Sequence, residues 1–184
     1  NVIATQIDLH RPYNGVVPEI ASRLHAQWIV PVVKRALAEA DTGIEDIDGI
    51  AVTNRPGLSG SLLVGHSFAK GLAFATGKPF VGIDHIRAHL YAAHLERDIP
   101  YPYIGLLVSG GHTIILEVKS FDDIEVLGTT IDDAAGEAFD KVAKHYGFGY
   151  PGGVAVDRLA AEGDENAFSF PVPSLHKGDH PYDV

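Results

Sequence analysis

Apolar and polar residues follow two different rhythms along this chain, and the switches between them outline its elements. From Pro18 onward, Ile20, Leu24, Trp28 and Val32 recur every four positions, the spacing of one helix face. Pro31 falls inside that run and is expected to kink the helix or divide it, because proline lacks the N–H a helix uses. Ahead of it, "NVIATQID" alternates as a strand would, and "HRPYNGVVPE" is rich in turn formers. "DGIAVTN" (48–54) and "PFVGID" (79–84) have the length and composition of short strands. Between them, "RPGLSGSLLVGHSFAKGLAFATG" reads as a glycine-punctuated loop followed by a helix of small residues.

The second half changes rhythm. "YIGLLVSGGHTIILEVK" (103–119) reads as a hairpin, two strands about a Ser-Gly-Gly turn, and "DIEVLGTT" as a further strand. "DDAAGEAFDKVAKHYG" (132–147) is a helix opened by acidic residues and stopped by glycine. "GYPGG" then leads into a last helix, "VAVDRLAAEG", and the tail "NAFSFPVPSLHKGDHPYDV" has no clear period. Strand–helix alternation followed by a hairpin predicts an α/β protein with a mixed sheet. The restart at the hairpin predicts a division into residues 1–102 and 103–184.

Composition narrows the chemistry. With 184 residues and 46% hydrophobic content, the chain can build a real core. No apolar run reaches membrane-spanning length, and the start lacks the plan of a signal peptide, so a cytoplasmic location is expected. Zero Cys leaves His and carboxylates as the ligands for any metal. A formal charge of −10 argues against autonomous nucleic-acid binding, so a nucleic-acid substrate would need positive surface from another segment or subunit. The chain begins with Asn1 and contains no Met, which leads us to expect a fragment of something longer.

Five stretches carry candidate chemistry. In "VGIDHIRAHLYAAHLER" (81–97), His85 and His89 share a helical face and can converge on one ion, or they are ordinary surface histidines. His94, half a turn round from His85, is expected to be solvated or packed. A zinc protease would carry Glu directly after the first histidine, where this chain has Ile86. In "LVSGGHT" (107–113), Gly110 and Gly111 would let backbone N–H groups approach an anion beside Ser109, or they simply serve a tight turn. In the 132–147 helix, Asp132 and Asp133 are expected to cap, and Glu137–Lys141 and Asp140–Lys144 to form surface pairs. Gly136 costs that helix about 1 kcal/mol and hints at a close neighbour. "YPGGVAVD" (150–157) offers free N–H groups at a helix start and an acid, Asp157, suited to a ribose. "NRPGLSGSLLVG" (54–65) lacks the Lys and spacing of a P-loop, so its small residues are read as helix–sheet packing.

Taken in order, "YNGVVPEIASRLH", "PGLSGSLLVG", "DHIRAH", "LVSGGHT", "DDAAGEAFDKVAK" and "YPGG" resemble a known family. It is the universal tRNA threonylcarbamoyladenosine-synthesis family, once labelled sialoglycoprotein endopeptidase. The resemblance runs through nearly the whole chain. It implies actin-like lobes of the sugar-kinase, Hsp70 and actin superfamily, with the second incomplete here. It implies transfer of a threonylcarbamoyl group from threonylcarbamoyl-AMP to the adenosine beside the tRNA anticodon. By motif, His85 and His89 correspond to two ligands of one metal ion per subunit, iron favoured over zinc. Leu107, Val108, Ser109, Gly110 and Gly111 correspond to the loop at the substrate's phosphate and carbamoyl end. Asp140, Gly153 and Asp157 correspond to residues that hold the nucleoside. The implied partners are tRNA, an actin-like paralogue and a small ATPase, with no membrane.

The chain departs from the family pattern at Arg55-Pro56-Gly57, usually Gly-Pro-Gly, at Asn14-Gly15, usually Gly-Gly, and at Asp84, often Asn or His, departures read as lineage variation with little effect on the metal pair. The resemblance also implies an opening strand before Asn1, and an asparagine for the nucleotide and a metal-binding aspartate after Val184. The 184 residues alone are therefore expected to bind metal weakly and to lack transferase activity. The competing readings are a glycoprotein-cleaving metalloprotease and a non-catalytic module that docks through the helix from Pro18 and the small-residue helix.

Overall fold

The computed structural model describes residues 1–171 and 178–184. The middle of the aperiodic tail, 172–177, lies outside the described residues. The chain divides into two compact units, Asn1–His89 and Leu90–Val184. One carries a parallel sheet and the other an antiparallel one, so the mixed α/β class holds.

The first unit opens with a short helix, α1 (Ile7–His10), where a strand was expected. Val2 and Ile3 have no strand to pair with among the described residues, whereas local bonds favour a turn of helix. Thr5 Oγ1 accepts the Ile7 N–H at 3.3 Å, and Asp8 pairs with Arg11 at 2.9 Å. Helix α2 (Pro18–Glu39) then runs 22 residues with Pro31 inside it, undivided. Pro31 is exposed, as is Gln27, whose carbonyl would otherwise take the N–H that proline lacks.

Strand β1 (Ile50–Arg55), helix α3 (Ser59–Thr76) and strand β2 (Phe80–Asp84) form a strand–helix–strand crossover. The strands run parallel, with Ile50 opposite Phe80 and Arg55 opposite Asp84. Small residues bring α3 close, as expected. A Cβ on Gly65 would touch Val52 of β1 at 3.4 Å, and one on Gly60 would meet Ser22 of α2 at 3.0 Å. The buried residues of α2 and α3 are Ala21, Ala69 and Ala73. Helix α4 (His85–Ala92) follows β2 without a loop.

In the second unit, β3 (Tyr103–Val108), β4 (Thr113–Val118) and β5 (Ile124–Thr129) form an antiparallel meander in sequence order. The expected hairpin is present, closing at Val108 opposite Thr113. One sheet face buries Leu116 and Val118, while Ile104, Leu106 and Val108 lie on the exposed face. Helices α5 (Ala135–Tyr146) and α6 (Gly152–Ala160) complete the unit. Gly147 ends α5 in a left-handed conformation, φ 73°, as the sequence led us to expect. The acidic pair does not cap α5, whose N-cap residue is Ala134. Thr113 Oγ1 accepts the Ala135 N–H at 2.9 Å instead, and Asp133 pairs with Lys141.

The segment 178–184 lies along β5. Tyr182 donates to Leu127 O at 3.2 Å and Val184 to Thr129 O at 3.1 Å. The Asp183 carboxylate accepts backbone N–H bonds from His180 and Thr129, which hold its pKa below the usual carboxylate value. A depressed folded pKa means this anchoring is full above the ordinary value of about 3.9 and fades as pH falls through the folded one. The Thr129 amide resonance should therefore titrate only in that acid range, and Asp183→Asn should abolish the titration.

Candidate functional site

The histidine pair is set by the junction of β2 and α4. Asp84, the last residue of β2, turns its Oδ1 to accept the N–H groups of Ile86 at 2.9 Å and Arg87 at 3.2 Å. That capping starts the helix at once and places His85 in its first turn. His85 and His89, one turn apart, bring their Nε2 atoms to 3.1 Å, with ring centroids 4.4 Å apart. A single ion held by two imidazoles at about 2.0–2.1 Å, at a tetrahedral angle, would separate those nitrogens by about 3.3 Å. The two rings are thus within hydrogen-bond distance of each other, and their nitrogens stand slightly closer than two corners of a tetrahedral metal site. Among the described residues there is no group of three or more His, Cys, Asp or Glu that could hold a metal ion.

His94 is packed, as expected. It lies in the short 3-10 turn Ala93–Leu95, its Nε2 is 3.0 Å from the Tyr103 hydroxyl, and its ring stacks on Tyr101 at 5.5 Å.

The Ser-Gly-Gly loop is shaped by Ser109 itself. Its Oγ accepts the N–H groups of His112 at 3.1 Å and Gly111 at 3.4 Å, while its backbone N–H donates to His112 O at 2.8 Å. Neither Gly110 nor Gly111 adopts a left-handed φ, and a Cβ on either would meet nothing within 4 Å among the described residues. The turn therefore does not need glycine for its backbone conformation. What the two glycines leave is open approach to their backbone. Leu107 is half-buried and Val108 exposed beside them.

Gly136 shows why a glycine sits in the first turn of α5. Its N–H donates to Ser109 O at 3.1 Å, and a Cβ there would lie 2.7 Å from both Ser109 O and the Gly110 Cα. The close neighbour hinted at by the sequence is the Ser-Gly-Gly loop.

Asp140 does not pair with Lys144 as expected. Its Oδ1 accepts the Gly152 N–H at 2.7 Å, so the carboxylate of α5 holds the first turn of α6. A Cβ on Gly152 would lie 2.6 Å from the Ala143 Cβ and 2.7 Å from the Asp140 Cα, which fixes how closely the helices approach. Gly153 and Asp157 lie one turn apart on α6, with Asp157 exposed. Tyr150 joins this corner: burial, then the Asp140 charge, raise its hydroxyl pKa above the ordinary tyrosine value. Asp140→Ala should cost about 1.5–3 kcal/mol, the range for a hydrogen bond to a charged group. Asp157→Asn should cost almost nothing. Urea unfolding of the two variants, followed by circular dichroism, separates them.

Three contributors escaped the sequence reading: Asp84, Thr113 and Tyr150. An aspartate directly before a helical run is a capping signal, so Asp84 was open to discovery. Thr113 and Tyr150 act across elements and leave no local signal.

A family model described as "TsaD: tRNA N6-adenosine threonylcarbamoyltransferase" matches residues 1–184. Curated relatives carry the same description. One from Treponema denticola is 66% identical over all of this chain and 54% of its own length. One from Treponema pallidum is 59% identical over all of this chain and 52% of its own. One from Brachyspira hyodysenteriae is 54% identical over 96% of this chain and 52% of its own. The chain therefore spans about half the length of the curated relatives it matches. Among solved structures, "YeaZ from Pseudomonas aeruginosa" is 21% identical, covers 56% of this chain and 49% of its own, and superposes with a TM-score of 0.41.

Proposed function

Since the chain belongs to the tRNA N6-adenosine threonylcarbamoyltransferase family, we propose that it forms part of a tRNA-modifying transferase. The enzyme moves a threonylcarbamoyl group from threonylcarbamoyl-AMP to the adenosine beside the anticodon. The observation that carries this reading is the approach of the His85 and His89 Nε2 atoms to 3.1 Å, in a chain the family matches along its whole length. The two lobes, 1–102 and the incomplete 103–184, are of the actin-like type, a boundary that falls later in the chain than the division of the compact units at His89–Leu90.

In this reading His85 and His89 hold one metal ion per subunit, iron in preference to zinc, with an aspartate outside these residues completing the set. Bound there, the metal supplies Lewis acidity toward the carbamoyl oxygen of the substrate. The chain's own groups do the rest. Leu107, Val108, Ser109, Gly110 and Gly111 receive the phosphate and carbamoyl end. Asp140, Gly153 and Asp157 hold the nucleoside of the adenylate. The adenosine amine attacks the carbamoyl carbon, the bond from that carbon to the phosphate oxygen breaks, and AMP departs with the electron pair. The amine gives up one proton, which passes to solvent water or to the departing AMP phosphate. Backbone N–H groups at Gly110 and Gly111 stabilise charge growing on the departing phosphate, and positioning supplies much of the remainder. No protein nucleophile is needed.

A formal charge of −10 is a poor match for tRNA. Positive surface comes from partner proteins, an actin-like paralogue and a small ATPase, or from residues outside this chain. Among the described residues no helix is long and apolar enough to cross a membrane. The isolated 184 residues are expected to transfer no labelled threonylcarbamoyl to tRNA, whereas the full-length gene product with its partners does. Turnover by the isolated chain would contradict the claim that residues outside it complete the site.

A further inference from the structure

We propose that Arg55 and Asp84 are positioning residues for the metal, a clamp that fixes the direction in which α4 presents His85 and His89. The inference rests on reading those histidines as ligands. Asp84 divides its carboxylate between two tasks. Oδ1 accepts the first free N–H groups of α4, from Ile86 and Arg87, while Oδ2 receives Arg55 Nε at 3.1 Å. Arg55 is the last residue of β1 and stands opposite Asp84 in the parallel register, just after an irregularity between Thr53 and Arg55. The guanidinium therefore ties the cap of the ligand-bearing helix to the neighbouring strand. Without it Oδ2 loses its anchor, the carboxylate is free to turn about its own side chain and weaken its bonds to Ile86 and Arg87, and the first turn of α4 loosens with it. His85 follows Asp84 directly, so a small rotation there changes the 3.1 Å approach of the two imidazoles.

Arg55 is 73% exposed on its side chain and Asp84 is 22% exposed, so the pair adds little to stability. Its expected effect is on ligand geometry, as for other groups that orient metal ligands from behind. For Arg55 electrostatics alone predicts the opposite sign, since removing a nearby cation should help a metal ion bind; for Asp84 it predicts the same sign, so the Arg55 variants decide.

The test uses the full-length gene product and Co(II) as a spectroscopic probe, with affinity from chelator competition and geometry from the visible d–d band. Arg55→Ala should weaken Co(II) binding about tenfold, within the range for such supporting groups, and shift the band. Asp84→Asn, which keeps a capping oxygen but loses the charge, should match it. The double variant should be no worse than either single one, and Arg55→Lys should recover part of the loss. Circular dichroism checks that each variant is folded, and Arg55→Lys, which keeps the charge and alters only the contact, carries the test if Arg55→Ala is not. Variants that bind Co(II) as tightly as the wild type, or tighter, would overturn the clamp alone. A wild-type protein that binds no Co(II) would overturn the ligand reading and the clamp with it.

Discussion

His85→Ala and His89→Ala, each made in the full-length gene product, should lose bound metal and cut threonylcarbamoyl transfer at least about a hundredfold. A metal acting as Lewis acid contributes several kcal/mol to transition-state stabilisation, and each 1.36 kcal/mol is a factor of ten in rate. Each substitution removes one of two nitrogens standing 3.1 Å apart. His89 is exposed and His85 half-buried at the start of α4, so neither change opens a large cavity and the fold should survive. His94→Ala is the control. It loses a contact with the Tyr103 hydroxyl and stacking on Tyr101, and should leave metal content unchanged. Metal analysis of the purified variants, run beside the transfer assay, checks all three. Full activity in either His85→Ala or His89→Ala would remove the metal from the account.

The second large effect is expected at Gly136. Substituting Ala puts a Cβ at 2.7 Å from Ser109 O and the Gly110 Cα, and 2.8 Å from Gly110 N. These are backbone atoms of the Ser-Gly-Gly loop, so the loop or the helix start must move. A displacement of about 1 Å at a positioning element can cost about a hundredfold in rate. Gly136→Ala should therefore reduce kcat roughly 10–100-fold while the protein stays folded. Local helix preference favours Ala over Gly by up to about 1 kcal/mol, which partly offsets the strain in the folded state. A loss of activity without a matching loss of stability is the signature. Gly110→Ala is the companion: its Cβ meets nothing within 4 Å among the described residues, so a defect there would come from occupying the space offered to a ligand.

How much of this was legible in the sequence depends on the range of the forces involved. The β2–α4 junction was readable because an apolar run passes directly into histidines four apart, and both signals are local. The hairpin and the glycine stop of α5 were readable for the same reason. The opening strand was not, because alternation alone cannot form a strand that has no neighbour to pair with. Asp140 was misassigned because helix spacing sees Lys144 on its own helix and not the Gly152 N–H arriving from the next one. The α5 start was misassigned likewise, since its first N–H groups go to Thr113 and Ser109, more than twenty residues away. Arg55 and Asp84 are the clearest lesson. In the sequence they stand 29 residues apart as two unrelated departures from a family pattern, and in the fold they are bonded to each other.

Membership of a tRNA-modifying enzyme is tested most directly by nucleoside mass spectrometry of tRNA incubated with threonylcarbamoyl-AMP, partner proteins and the full-length gene product. The expected product is N6-threonylcarbamoyladenosine beside the anticodon, absent when His85 and His89 are both replaced by Ala. Unmodified tRNA from an active, metal-loaded preparation that instead cleaves glycoprotein would contradict it.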